Sequence, residues 1–284
     1  MKNFGNVASV FGFDDRPFKL LPDPNVIFWS PRHEHAFETL RYGLTSCAPI
    51  TLLTGEIGAG KTTLLRKLME ETAEDLIIGL VSNVMGTTDQ LLHWILNALD
   101  VRIESGASYV TLFQTLQDLL IEHYAAGRRV VLIFDEAQNI RSSGLEELRM
   151  LTNINSGVDE LLQLILIGQP ELRDTINLPE LRQVKQRVAA NYHLTSMGPE
   201  ETTTYIRHLL RAAGGTGNEI ADDAISDIFT ATQGTPRLIN QLCNFAMVRA
   251  ATTAENPVSR KTVTDVLGDG MFLPYRLFQQ EKTS

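Results

Sequence analysis

"LLTGEIGAGKTTLLRKL", residues Leu52–Leu68, changes character in its middle. It begins as an apolar strand, becomes a loop with three glycines, and resumes as a helix that opens on a lysine and two threonines. Gly55, Gly60, Lys61 and Thr62 fit the spacing G-x-x-x-x-G-K-[ST] between a strand and a helix. A triphosphate needs several donors converging on it. Glycines let backbone N–H groups approach closely, and the following helix aims its positive end at the same point. Lys61 supplies a compact cation for the β and γ phosphates, and the Thr62 hydroxyl is a ligand for Mg²⁺. The stretch Gly55, Glu56, Ile57, Gly58, Ala59, Gly60, Lys61, Thr62 and Thr63 is therefore expected to hold ATP.

Working outward, strands and helices alternate. "PITLLTG" leads into the loop, and "LIIGLVS" (Leu76–Ser82), "RRVVLIFDEAQ", "ELLQLILIGQPEL" and "VAANYHLTSM" carry four more strands. Between them "TTDQLLHWILNALD", "YVTLFQTLQDLLIEHYAAG" and "SGLEELRMLTNI" place apolar residues at helical spacing. Strands that are apolar throughout belong in a parallel sheet covered on both faces. After Gly198 the pattern is helical only: "PEETTTYIRHLLRAAG", "ADDAISDIFTATQG", "PRLINQLCNFAMVRAA" and "SRKTVTDVLG". The expected fold is α/β, a five-stranded parallel P-loop NTPase core followed by a small all-helical domain, with the boundary near Ser196–Pro199.

A phosphate cradle alone does not hydrolyse anything. "VVLIFDEAQ" ends a buried strand on Asp135, placed to hold the Mg²⁺ shell, and on Glu136, placed to polarise the attacking water. "LILIGQPEL" puts Gln169 at the end of another central strand, within reach of the γ-phosphate or the lytic water. In "TQGTPRLINQL", Arg237 opens a helix of the second domain, where a cation can fold back on the phosphates and report ATP to that domain.

The bulk numbers restrict the partners. The chain has 284 residues and a net charge of −9, which does not favour a dedicated duplex-DNA binder. Local basic residues that a DNA role would use are Arg66, Lys67, Arg128 and Arg129. Two distant cysteines, Cys47 and Cys243, are read as reduced, buried thiols of a cytoplasmic protein. No apolar run is long enough for a signal peptide or a membrane span, so no direct membrane insertion is expected.

Taken together, the phosphate loop, "FDEAQ", "LIGQPEL" and "GTPRLINQL" resemble the AAA+ ATPases of the ExeA/GspA type, the general secretion pathway protein A family. The leader "FGFDDRPFKLLPDPNVIFWSPRHEHAFETLRYGL" is similar to the entry segment of that family, and the resemblance runs over roughly residues 11–268. It implies that Lys61 and Thr62 are Walker A, Asp135 and Glu136 Walker B, Gln169 sensor 1 and Arg237 sensor 2. It also implies ATP-dependent self-assembly into a ring or filament.

In such cores the segment ahead of the phosphate loop covers the adenine. Ser30 and Pro31 suit a helix start there, which makes Phe28, Arg32 and His33 the candidates for the base. A helix end facing the next subunit would carry an arginine finger. Arg187, immediately before the fifth strand, is the first candidate and Arg182 the second.

The resulting division is a leader and adenine-covering segment over 1–48, the AAA+ core over 49–197, a helical lid over 198–270 and a tail over 271–284. Secretion-pathway members continue into a membrane span and a periplasmic peptidoglycan-binding domain, whereas this sequence ends on "FQQEKTS" with neither. The expected function is that of a cytoplasmic ATPase that drives or regulates assembly of a partner machine of the secretion, pilus or exopolysaccharide type. The alternative is a DNA-associated ATPase that regulates a transposase or similar enzyme.

Overall fold

The computed structural model describes residues 2–19, 26–71, 75–82, 90–104, 106–157 and 159–272. In chain order its elements are α1 (Lys2–Phe11), α2 (Pro31–Thr45), β1 (Ile50–Gly55), α3 (Lys61–Glu70), β2 (Leu76–Ser82), α4 (Leu91–Ala98), α5 (Tyr109–Ala125) and β3 (Arg129–Asp135). They continue with α6 (Ser142–Leu151), β4 (Leu162–Gly168), α7 (Pro170–Ile176), α8 (Arg182–Arg187) and β5 (Val188–Leu194). The last four helices are α9 (Pro199–Ala212), α10 (Asp222–Thr232), α11 (Pro236–Thr252) and α12 (Arg260–Gly268). They form two compact units: an α/β unit of Pro31–Glu56 and Leu64–Leu194, and a helical unit of the residues up to Ser30, Ile57–Thr63 and Thr195 onward.

In the α/β unit five strands lie side by side in the order β2-β3-β4-β1-β5, all parallel. Successive side chains of a strand point to opposite faces, and here both faces are apolar. Ile50, Leu52, Leu132, Phe134, Leu164 and Leu166 are buried in one cluster with Leu92, Ile95 and Leu96 of α4, Leu112, Leu116 and Leu120 of α5, and Leu145 and Leu148 of α6. Leu53, Val131, Ile133, Ile165 and Ile167, the alternate positions, are also buried. Helix α2 packs on β1 and β5. It does so closely: a Cβ on Gly43 would stand 2.0 Å from Thr51 Oγ1. A sheet covered on both faces needs this continuous apolarity in its central strands β3, β4 and β1, whereas the edge strands β2 and β5 are partly exposed.

The helical unit is built on Ile206, Leu209, Leu210, Ile225, Ile228, Ile239, Leu242, Met247, Val263 and Val266, at helical spacing on α9 to α12. Its core includes more of the leader than the sequence suggests. Val7 and Phe11 of α1, then Phe13 and Phe18, are buried in the same cluster, with Phe11 stacked on Phe13 at 5.8 Å. The Asp14 N–H donates to the Ala213 carbonyl at 2.9 Å, and Asn240 Nδ2 donates to the Lys19 carbonyl at 3.1 Å. The sequence-based segment 1–48 is thus split at Ser30/Pro31, and its first part completes the helical core, because four large apolar residues cannot stay in water when an apolar face is at hand.

One further expectation is corrected. Cys243 is buried, and burial pushes its thiol well above the usual range, but Cys47 is exposed. Cys47 has φ +53° in the turn between α2 and β1. No described helix is long and apolar enough to cross a membrane.

Candidate nucleotide site

Because all five strands are parallel, their carboxyl ends share one edge, where open α/β sheets take their ligands. Residue pairing aligns Thr54 with Gly168, Phe134 with Leu166 and Ser82 with Asp135. Gly55, Asp135 and Gln169 therefore end neighbouring strands, with β4 lying between β1 and β3. Thr54 Oγ1 and His193 Nδ1, 2.9 Å apart, fasten β1 to β5 one residue before the loop. Gly55 itself is required by the sheet, since a Cβ there would lie 2.4 Å from the Leu194 carbonyl oxygen.

At the end of β3 the chain turns sharply. Glu136 adopts φ +57°, ψ +37°, a left-handed conformation that costs a non-glycine residue about 1 kcal/mol or more. The Asp135 carboxylate accepts the Glu136 N–H at 3.0 Å and so holds the turn. Glu136 Oε2 accepts from Gln138 Nε2 at 2.6 Å and from Gln169 Nε2 at 3.1 Å. Gln169 caps α7 ahead of Pro170, and its own N–H donates to Gln138 Oε1 at 3.0 Å. The structure brings together Asp135, Glu136 and Gln169 as the sequence suggests, and adds Gln138. The sequence offered only a weak signal for Gln138 in "FDEAQ": a polar side chain one residue beyond an acid pair at a strand end.

The phosphate loop Ile57–Thr63 groups with the helical unit. Gly58 has φ +78°, and a Cβ on it would come within 2.6 Å of Arg237 Cβ. The Arg237 N–H points at the Gly58 carbonyl at 3.4 Å. Arg237 therefore stands against the loop at the head of α11, behind a Gly-Thr-Pro turn in which Gly234 accepts the Met197 N–H at 3.1 Å. Lys61, the first residue of α3, is only 7% exposed. A lysine is rarely so buried. Thr62 is exposed beside it in the first turn, and Ala59 is buried under the loop. In the loop, a buried ammonium and an exposed hydroxyl at a helix start are donors that suit a triphosphate and Mg²⁺, and the α/β unit by itself ends β3 on a carboxylate of the kind that holds Mg²⁺.

The three adenine candidates divide. Phe28 belongs to the helical unit, where it meets Tyr205 edge-on at 5.5 Å and His208 at 5.5 Å. Burial, and then Arg211, hold the His208 imidazole below its usual range. Arg32 and His33 belong to α2, with His33 buried. Arg187 lies at the other edge of the sheet. It precedes Val188, which pairs with Ile50 at the start of β1, and it is bonded to Glu160 and Asn153. Arg182 is exposed at the start of α8.

A five-stranded parallel sheet in this order, with a phosphate loop after β1, an Asp-Glu pair closing β3 and a helical unit after β5, defines the P-loop ATPases of the AAA+ class. The chain belongs to that class: an AAA domain family matches residues 45–176. Within it the chain is of the ExeA/GspA type. It is 37% identical over 240 residues to General secretion pathway protein A of Aeromonas hydrophila, an alignment covering 84% of this chain and 44% of that protein. The chain thus spans under half the length of that relative. Among solved structures, it is similar in fold to the ORC2 protein of Aeropyrum pernix in its ADPNP–ADP complexes (TM-score 0.66, 19% identity, 96% of this chain and 76% of that one). It is also similar to Cdc6p of Pyrobaculum aerophilum (TM-score 0.70, 16% identity, 89% and 71%).

Proposed function

We propose that this ATPase works in the cytoplasm as a homo-oligomer and uses its cycle to drive or regulate the assembly of a protein machine of the secretion, pilus or exopolysaccharide type. Lys61 and the loop N–H groups would hold the phosphates of ATP, and Thr62 and Asp135 would hold Mg²⁺. The ion would supply positive charge against the phosphate oxygens. Glu136 accepts the proton of the attacking water, Gln169 orients it, and Arg237 senses the γ-phosphate from the head of α11. Arg32 and His33 remain the candidates for the adenine. The ring contacts of Phe28 with Tyr205 and His208 count against its stacking on a base.

The observation that carries the oligomeric reading is the position of Arg187. Seven residues of β5 separate it from the carboxyl edge, which at about 3.3 Å per residue is roughly 20 Å. That is beyond the reach of an arginine, so Arg187 is suited to the γ-phosphate of a neighbouring copy and not of its own. The name of the curated relative supports a secretion-linked partner. Of the basic residues a DNA role would use, Lys67 is paired with Glu70 and Glu71, and Arg129 with Asp75, which favours the protein-partner reading.

Complementation tests the proposal. Arg187→Ala and Lys61→Ala should each be inactive, and their mixture should recover activity, because one protomer offers an intact pocket and the other an intact finger. Specific activity of the parent should rise with protein concentration. An inactive mixture, together with activity independent of concentration, would leave a monomeric ATPase.

A further inference from the structure

The amide of Gln138 is fixed at both ends. Its Oε1 accepts the main-chain N–H of Gln169 at 3.0 Å, and its Nε2 donates to Glu136 Oε2 at 2.6 Å. A main-chain N–H can only donate, so it dictates which end of the amide faces it, and the NH₂ group must then face Glu136. Gly168 keeps the space open: a Cβ there would lie 2.9 Å from Gln138 Oε1 and 3.2 Å from its main-chain nitrogen. Both donors, from Gln138 and Gln169, fall on Oε2 of Glu136. The other oxygen, Oε1, is the one left for a proton. The donors are neutral, so the carboxylate is oriented without being neutralised.

From this juxtaposition we infer that Gln138 is a positioning residue for hydrolysis. It pins one oxygen of Glu136 in the strained turn and ties it to Gln169, the residue that orients the water, so that the second oxygen faces the lytic water. The inference rests on the reading of Glu136 as proton acceptor. It assigns Gln138 no contact with substrate. Its effect passes through Glu136 alone and should appear in the rate of the chemical step, leaving nucleotide affinity intact.

The test uses the full chain with Mg-ATP in steady-state turnover and a fluorescent ATP analogue in equilibrium titration. Gln138→Ala should lower kcat by about tenfold to a hundredfold, part of what an unaided base loses, with KM and analogue affinity within about twofold of the parent. Gln138→Glu keeps the acceptor for the Gln169 N–H but turns a second carboxylate toward Glu136, so it should be at least as slow. In a Glu136→Gln background, Gln138→Ala should add no further loss, because residues that act as one unit are not additive. Parent-like kcat for Gln138→Ala, a Gln138→Glu variant faster than Gln138→Ala, or a full further loss in the double variant would each overturn the inference. If Glu136→Gln itself turned over like the parent, the reading of Glu136 would fall and this inference with it. A slow Glu136→Gln beside a normal Gln138→Ala would remove this inference only.

Discussion

The two edges of the sheet hold their functional side chains in opposite ways. At the carboxyl edge Glu136 is gripped by two neutral amides, from Gln138 and Gln169. At the amino edge Arg187 is gripped by a charged carboxylate, Glu160, with Asn153 beside it. Neutral donors orient a charge and leave it unpaired, whereas a counterion satisfies it. The difference fits the two proposed tasks. Glu136, as proposed, would serve the site it is built into and would have only to point correctly. Arg187 would serve a site on another copy, and until that copy arrived its charge would be safer paired. Glu160 would then be exchanged for phosphate as the oligomer forms.

The largest effect expected from breaking this contrast is at Arg187. A finger acting in trans contributes roughly three to five orders of magnitude in rate, so Arg187→Ala should abolish measurable turnover while a fluorescent ATP analogue still binds. Loss of binding in that variant would instead assign Arg187 to the fold. Next comes Glu136→Gln, which keeps the shape and removes the charge. It should slow hydrolysis by about a hundredfold or more and accumulate ATP-bound oligomer on gel filtration; turnover at the parental rate would end the assignment.

A subtler change sharpens the comparison. Glu160→Gln removes the counterion, and a half-exposed pair is worth about 0.5–1 kcal/mol. Turnover at limiting protein concentration should therefore rise about two- to fivefold. A fall would mean that Glu160 presents Arg187 and does not hold it back.

The smallest effect concerns the cations of the amino edge. His123, on α5, is held below its usual range by burial and then by Arg128, and among the described residues its Nδ1 is buried with no hydrogen-bond partner. With its folded value depressed, the unfolded chain takes up the proton first. Stability should accordingly be full above pH about 6.5 and decline as the pH falls below it. Solvent screening of this partly exposed ring keeps the loss small. Thermal melts at pH 7 and pH 5.5, with His123→Gln as control, should show a slope that the variant lacks.

Much of this was legible because the relevant physics is local. Buried parallel strands must be apolar on both faces, and a strand–glycine loop–lysine–helix run has few other uses, so the sheet, the loop, Asp135, Glu136 and Gln169 could all be read in order. The rest depends on contacts between residues far apart in the chain. Nothing near Val7 or Phe11 announces that their apolar partners lie after residue 195. Phe28 reads equally well as a base-stacking ring and as the neighbour of Tyr205. Gln138 looks like loop filler until Gly168, thirty residues later, is seen to make room for it. Arg187 was legible as a cation before a strand, and its partner Glu160, far earlier in the chain, was not.

Three residues of the phosphate loop carry different information. Gly55 is dictated by the carbonyl of Leu194 and Gly58 by the body of Arg237. Lys61 is a cation buried at the head of α3, a placement that is costly for a charge and that the proposed phosphate contact would offset. A descendant that abandoned nucleotide would therefore be expected to keep Gly55 long after Lys61 had drifted. In such a lineage the surviving glycine would testify to the architecture of the sheet, and the missing lysine would be the record of the lost chemistry.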